Sequence, residues 1–214
     1  MNDWFEDVKA YLPKYLSTEA TANLFAELKQ FPDNIDSRLY TIRLRDEPTL
    51  FQGDGLADLW VADLPNTTIG KTRVVILSNS CDIARDNKRL LGHRLLYCPI
   101  ISLAKYENLL QTQGQLPPGF DPVGHLDAIR KQRNSSMFYL PKNENLSEEG
   151  VALLDRINNC DAQAIDLSEL LRSRLFTLSD YGFYLFLFKL SLHLTRIREG
   201  VARDGGAAGR QADS

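Results

Sequence analysis

Three apolar runs separated by polar loops dominate residues 52–102. The first follows the turn Gln52-Gly53-Asp54-Gly55, the second is Val74-Val75-Ile76-Leu77, and the third covers residues 95–101. Short alternating or β-branched runs bounded by turn residues are typical of strands. The pattern therefore predicts an antiparallel meander, with the polar segment Ser78-Asn79-Ser80-Cys81-Asp82 at the end of its middle strand.

Further strands are predicted on both sides of this meander. Residues 38–44 alternate polar and apolar side chains, which indicates a half-buried strand. Residues 137–140 and 174–176 are also predicted strands. We expect two more at 151–157 and 163–167, joined through the turn Asn158-Asn159-Cys160-Asp161.

Apolar residues at helical spacing predict helices in three further regions. Residues 3–30 form two N-terminal helices that we expect to pack on the sheet. Ser102 caps a short helix, and Asp121-Pro122 begins another whose residues Val123, Leu126 and Ile129 face the core. These two helices form an insertion at 103–133.

The last predicted helix starts at Ser179-Asp180 and runs to residue 203. It is apolar on all sides, so we expect it to be buried, either between the sheet and the N-terminal helices or in a homodimer. Gly182 near its start would allow close packing. The predicted class is α+β, with an N-terminal extension at 1–34, a main domain at 35–203 and a disordered tail at 204–214.

Composition limits the classes of function. The 214 residues are 43% hydrophobic, which supports a core, and carry a net charge of -3. This charge argues against a strong non-specific nucleic-acid binder but leaves a local basic patch open. Three cysteines without a C-x-x-C pair and three widely spaced histidines predict no metal site, and we expect no cofactor. No leader pattern or membrane-length apolar run is present, so a cytoplasmic protein is expected.

Six short motifs follow one another along the chain. They are Gly53-Asp54, Leu59-Trp60-Val61, Arg73-Val74-Val75-Ile76-Leu77-Ser78, Tyr97-Cys98-Pro99-Ile100-Ile101-Ser102, Asp155-Arg156-Ile157 and Arg174-Leu175. With the final helix, this order resembles the PemK/MazF family of small toxin ribonucleases over residues 52–198. The resemblance implies an SH3-like antiparallel β-barrel that binds RNA, with or without metal-independent cleavage, in a toxin–antitoxin or phage-defence system. It also implies a protein partner, an antitoxin or a defence-system component.

The resemblance makes Arg73 the counterpart of the family's loop arginine. Ile101 stands at the position of the family's catalytic threonine, and Ser102 follows one residue later. Metal-independent RNA cleavage needs a base, an acid and a cation that stabilises the phosphorane. Arg73 is the candidate cation, and Ser102, Asp82 and His93 are candidates for positioning or proton transfer.

Other polar residues are candidates for substrate binding. Five of them lie at or after the end of the middle strand: Asn79, Ser80, Cys81, Asn87 and Arg89. Arg130 and Lys131 end a predicted helix, where positive charge suits either a phosphate or simply the helix dipole.

Two alternatives to an RNA site remain open at this stage. Asn, Ser and Asp side chains bond readily to backbone groups and close loops, so the segment 78–82 could be structural in a non-catalytic module that binds a protein partner. A reactive thiol at Cys81 is the other alternative. The segment is also similar to a Ser/Thr-Asn/Gln-x-Cys-Asp sequence of uncharacterised bacterial proteins.

Overall fold

The computed structural model describes residues 19, 23–24, 26, 31, 35–84, 86–87, 90–112 and 116–195. Within them the protein is α+β, as predicted. The strands are β1 (Tyr40–Thr41), β2 (Gly55–Asp63), β3 (Thr68–Ile76), β4 (Arg94–Ser102), β5 (Met137–Leu140), β6 (Gly150–Leu153), β7 (Asn158–Asp161) and β8 (Arg174–Leu178). The helices are α1 (Ser80–Ile83), α2 (Leu103–Thr112), α3 (Pro122–Arg130), α4 (Leu167–Ser173) and α5 (Asp180–Thr195). The predicted N-terminal helices and the tail lie largely outside the described residues.

One antiparallel sheet contains all eight of these strands, in the order β1-β8-β2-β3-β4-β6-β5, with β7 also paired to β4. β2, β3 and β4 are consecutive neighbours, which confirms the predicted meander. Val74 lies opposite Pro99, and Ile76 lies opposite Tyr97. The long strand β4 pairs with β7 through its first half and with β6 through its last three residues.

Backbone pairing does not close this sheet, and the edge strands β1 and β5 stand at the two ends of its strand order. Side chains nevertheless bring the edges together. The Tyr40 hydroxyl donates to the carbonyl of Pro141, directly after β5, at 2.6 Å. Arg45, just beyond β1, pairs with Glu144 at 2.6 Å. We call this junction the seam.

The outer edge of β5 is covered by a single glutamine. Gln132 Nε2 donates to the carbonyl of Tyr139 at 2.8 Å, and the Tyr139 amide donates to Gln132 Oε1 at 3.1 Å. Gln132 is buried and adopts a left-handed backbone with φ of 55°. Its side-chain amide therefore takes the place of a neighbouring strand and hides an edge that could otherwise pair with another chain.

The predicted strand at 38–44 was wrong except for Tyr40 and Thr41. A 3-10 helix at Ser37–Leu39 precedes β1, and a turn begins at Ile42. Thr41 Oγ1 accepts the amide of Arg43 at 3.2 Å, a local bond that favours the turn over an extended chain.

The buried guanidinium of Arg174 stabilises that turn and the loop after it by hydrogen bonds to their carbonyls. Its Nη1 donates to the carbonyls of Leu44, Arg45 and Glu47 at 3.0, 3.1 and 2.8 Å, and its Nη2 donates to that of Thr49. Nη2 also pairs with Asp54 at 3.2 Å, and both side chains are buried. Burial raises the pKa of Asp54, and Arg174 opposes that rise. One guanidinium thus satisfies backbone acceptors of residues 44–49, which are the last residue of the predicted strand and the segment that follows it.

Three other predictions were also wrong. Residues 158–161 form strand β7 rather than a turn, and 163–167 form no strand, because Asp161 and Asp166 cap the helical segments that follow them. Val123 was expected in the core but is 77% exposed, whereas Leu126 and Ile129 are buried as predicted. The predicted helix start at Asp121-Pro122 is confirmed.

The main core lies between one face of the sheet and α5. Val75, Cys98 and Ile100 contribute from the sheet, and Tyr181, Leu185 and Phe186 contribute from the helix. Gly182 is packed closely, as predicted, against the carbonyl of Leu39. In the single chain this helix is not buried on every side of its described part, because Phe188, Leu192 and Leu194 are exposed, and burial in a homodimer stays a prediction. Residues 196–203 of the predicted helix lie outside the described part.

Lys189 is the one lysine of the described core, and it gives a pH prediction. It is 2% exposed, its Nζ donates to the carbonyl of Gln132, and burial lowers its pKa to about 8. The folded state therefore releases a proton that the unfolded state keeps until higher pH. Stability should be lost as pH falls through this range and gained as it rises.

We expect Lys189→Met to lack this rise in stability with pH. Between about pH 7.5 and 9.5, the free energy of unfolding of the wild type should rise by about 2 kcal/mol relative to this variant. Urea unfolding of both proteins at several pH values measures the difference. Parallel curves would contradict the predicted loss of charge on Lys189.

Candidate functional site

Strand pairing brings Arg73 and Ser102 to one end of the sheet. Both share a face with Val75, Cys98 and Ile100, because side chains on a strand alternate between faces. Ser102 ends β4, and its Oγ accepts the amide of Lys105 at 3.4 Å, which confirms the predicted cap of α2. Ile101, by contrast, packs against the hydrophobic cluster on the other face.

Glu148 joins these two side chains. Arg73 Nη2 donates to Glu148 Oε1 at 2.9 Å, and Ser102 Oγ donates to Glu148 Oε2 at 2.7 Å. These donors, the Ser102 hydroxyl first and then the Arg73 guanidinium, hold the pKa of Glu148 below its usual range. The Glu148 side chain is 46% exposed and that of Arg73 is 28% exposed, so solutes can reach both.

This arrangement presents two donors to the two oxygens of one anionic group. A guanidinium beside a hydroxyl at the start of a helix is chemically suited to bind an oxyanion such as a phosphate. The Glu148 carboxylate accepts both bonds, and it could accept a proton if Arg73 and Ser102 donated to another anion instead. We call Arg73, Ser102 and Glu148 the rim site.

The segment 78–82 lies at the opposite end of the meander. The Ser78 hydroxyl accepts the amide of Leu96 at 2.8 Å, and Leu96 is six residues from Ser102, about 20 Å along an extended strand. Residues 79–82 follow Ser78 directly and form the cap and body of α1. The structure therefore does not bring Asp82 or its neighbours to the rim site.

The polar side chains of this segment build a loop. Asn79 Oδ1 accepts the amide of Cys81 at 2.9 Å, and Ser80 Oγ accepts that of Gln52 at 2.9 Å. Asn87 Nδ2 donates to the carbonyl of Cys81 at 3.0 Å. Three of the predicted substrate-binding residues thus support backbone groups, as the structural alternative expected. Cys81 is exposed.

The remaining predicted residues lie apart from the rim site. His93 precedes β4, where its carbonyl accepts the amide of Ala162 at 2.9 Å. Arg130 forms a double hydrogen bond with Glu149 at 3.0 and 2.9 Å. Glu149 follows Glu148 in sequence, but it accepts a hydrogen bond from Tyr139, which belongs to the cluster on the other face of the sheet. Lys131 pairs with Asp127 at 2.9 Å. Arg89 lies outside the described residues.

Glu148 is the functional candidate that sequence reasoning missed. It stands 75 residues from Arg73 and 46 from Ser102, and only the pairing of β4 with β6 brings it to them. Its sequence context, two residues before a short apolar run, carries no motif. Knowledge of the strand order would have been needed to find it.

No family model matches the chain, and no curated protein matches it. Two features are absent from the part of the chain that the structure describes. No helix in that part of the chain is long and apolar enough to cross a membrane. Nor does that part contain a group of three or more His, Cys, Asp or Glu side chains placed to hold a metal ion.

Proposed function

We propose that this protein is a divergent PemK/MazF-like RNA-binding protein that cleaves RNA without a metal ion, in a toxin–antitoxin or phage-defence setting. The observation that carries the proposal is the convergence of Arg73 and Ser102 on the two oxygens of Glu148. Arg73 is the counterpart of the family's loop arginine, and Ser102 stands one residue after the position of the family's catalytic threonine. The two residues are far apart in sequence. The seam, where side chains join the two edges of a curled antiparallel sheet, supports an opened SH3-like barrel as the scaffold.

Binding begins with an exchange of anions. A phosphodiester of RNA takes the place of the Glu148 carboxylate against the Arg73 guanidinium and the Ser102 hydroxyl. Loss of these donors removes the two contacts that hold the pKa of Glu148 down. The carboxylate becomes more basic at the moment when the substrate arrives.

Cleavage then follows as a transesterification. Glu148 accepts the proton of the ribose 2′-hydroxyl, the 2′-oxygen forms a bond to phosphorus, and the bond from phosphorus to the 5′-oxygen breaks. Water supplies the proton to the leaving 5′-oxygen. Arg73 stabilises the added negative charge of the phosphorane, and Ser102 fixes the phosphate oxygens. The products are a 2′,3′-cyclic phosphate and a 5′-hydroxyl.

We expect purified protein to cleave single-stranded RNA in EDTA, and Arg73→Ala to lower the rate by about a hundredfold. Glu148→Gln should also lose cleavage but should bind RNA more tightly than the wild type, because a neutral amide competes less for Arg73. The readouts are cleavage rate, RNA affinity and the cyclic phosphate end by mass spectrometry.

The matched control is Arg172→Ala, which removes an exposed arginine that pairs with Glu169 on its own helix. It should leave cleavage unchanged. Absence of cleavage by the wild type, or equal loss in the Arg73 and Arg172 variants, would contradict the proposed chemistry. Tight RNA binding without cleavage would leave only the binding part of the proposal.

A non-catalytic module that binds a protein partner is the second candidate. It is favoured by the loop-building bonds of Ser78, Asn79 and Ser80, which give that segment a structural purpose without chemistry. Retention of a protein partner by the immobilised chain, with no RNA retained, would favour this candidate over the first.

A further inference from the structure

A cleft of about 540 Å³ opens along the seam. It lies between the turn after β1, the loop after β5, the end of α4 and strand β8, and it shares no residue with the rim site. Its volume falls in the range of roughly 300–1,000 Å³ typical of ligand sites. The cleft is therefore a separate place at which another molecule can bind.

Exposed aliphatic side chains form part of the cleft wall. Ile42 is 78% exposed and Leu171 is 46% exposed, and both line the opening. Isolated exposed apolar residues are ordinary on protein surfaces, but here two of them flank one concave region. An apolar group that packs against them would remove apolar surface from water, which favours binding.

The charges of the lining are unequal. Asp46 and Glu144 supply two carboxylates, and Arg45 supplies one guanidinium. Arg174 also lines the cleft, but its charge faces the buried carboxylate of Asp54 at 3.2 Å. The cleft therefore has an acidic excess, which favours a cationic group on whatever binds there.

The ion pair at the mouth of the cleft can be exchanged. Arg45 and Glu144 are 48% and 77% exposed, and exposed pairs of this kind contribute only about 0–1 kcal/mol. A cation on a binding partner can take the place of Arg45 on Glu144 at little cost. The outer side of edge strand β1, whose residues Tyr40 and Thr41 also line the cleft, suits an extended chain.

We propose that the cleft at the seam binds an extended peptide segment of a protein partner, with an aliphatic side chain next to a lysine or arginine. The aliphatic group packs between Ile42 and Leu171, and the cation pairs with Glu144 and Asp46. This binding is independent of the RNA chemistry proposed for the rim site, because no side chain is common to the two.

The test uses two capped peptides, one of alternating leucine and lysine and one of alternating leucine and glutamate. With isotope-labelled full-length protein, the lysine peptide should shift amide resonances of residues 40–46, 143–145 and 171–177. Glu144→Lys and Leu171→Ser should each weaken its binding by about tenfold or more. Asp63→Lys, an equal charge change at the far end of strand β2, is the matched control and should leave the affinity unchanged.

Three results would overturn the inference. They are equal binding of the glutamate peptide, resonance shifts confined to other surfaces, and the same loss in Asp63→Lys as in Glu144→Lys. A single-stranded RNA oligonucleotide is tested alongside. If it binds in this cleft, the inferred ligand is nucleic acid and not a peptide. Cleavage assays on the rim site are unaffected by any of these results, so the two proposals fail separately.

Discussion

Arg174→Met should lower the free energy of unfolding by about 3–5 kcal/mol, as expected when one partner of a buried ion pair is removed. The arginine donates to four backbone carbonyls of residues 44–49 and pairs with Asp54. Methionine fills a similar volume but donates nothing, so those carbonyls and a buried carboxylate lose their partner. Urea unfolding followed by circular dichroism measures the loss.

The control is Arg172→Met on the neighbouring helix. Arg172 is 76% exposed and pairs with Glu169 one turn away, so its loss should cost at most about 0.5 kcal/mol. Adding Asp54→Asn to Arg174→Met should recover part of the stability, because the single variant leaves an isolated carboxylate in a site where burial already raises its pKa. Strict additivity of the two changes would show that the pair does not act as a unit.

Gly182→Ala should destabilise the protein by about 3 kcal/mol, although alanine is the better helix former by about 1 kcal/mol. A Cβ at this position would lie 2.1 Å from the carbonyl oxygen of Leu39. That oxygen belongs to the backbone just before β1 and also accepts the amide of Ser179 at 2.9 Å. It cannot rotate away as a side chain could, so α5 would have to lift from the sheet.

Gly70→Ala provides the comparison. No atom lies within 4 Å of a Cβ built at Gly70, which is in the exposed part of β3. Its stability should change by less than about 1 kcal/mol. A Gly182→Ala variant that is as stable as the wild type would mean that the helix start is not packed as closely as the structure describes.

Local patterns predicted the elements whose stabilising contacts are themselves local. The meander follows from short β-branched runs separated by turns, and the start of α3 follows from a cap and proline, Asp121-Pro122. The predictions failed where distant residues decide the outcome. The segment 38–44 alternates like a strand, yet Arg174, some 130 residues away, binds the carbonyl of Leu44 and three carbonyls beyond it in a turn and loop.

The same distinction applies to the candidate site. Arg73 and Ser102 could be selected because each belongs to a short recognisable motif. Glu148 could not, since its place beside them depends on which strand pairs with the end of β4. Asp82 and His93 were grouped with Arg73 only because their side chains could transfer protons. Asp82 follows the end of β3 and His93 precedes the start of β4, so both lie at the end of the sheet opposite to Ser102.

The seam has a consequence for how the protein behaves when concentrated. A neutral hydrogen bond from Tyr40 and an exposed ion pair from Arg45 join the two edges, and contacts of these kinds contribute only about 1 kcal/mol each. Transient parting of the edges would widen the access of a second molecule to the outer side of β1. Domain exchange or edge-to-edge polymerisation would start there, whereas Gln132 already occupies the backbone groups of Tyr139 on β5.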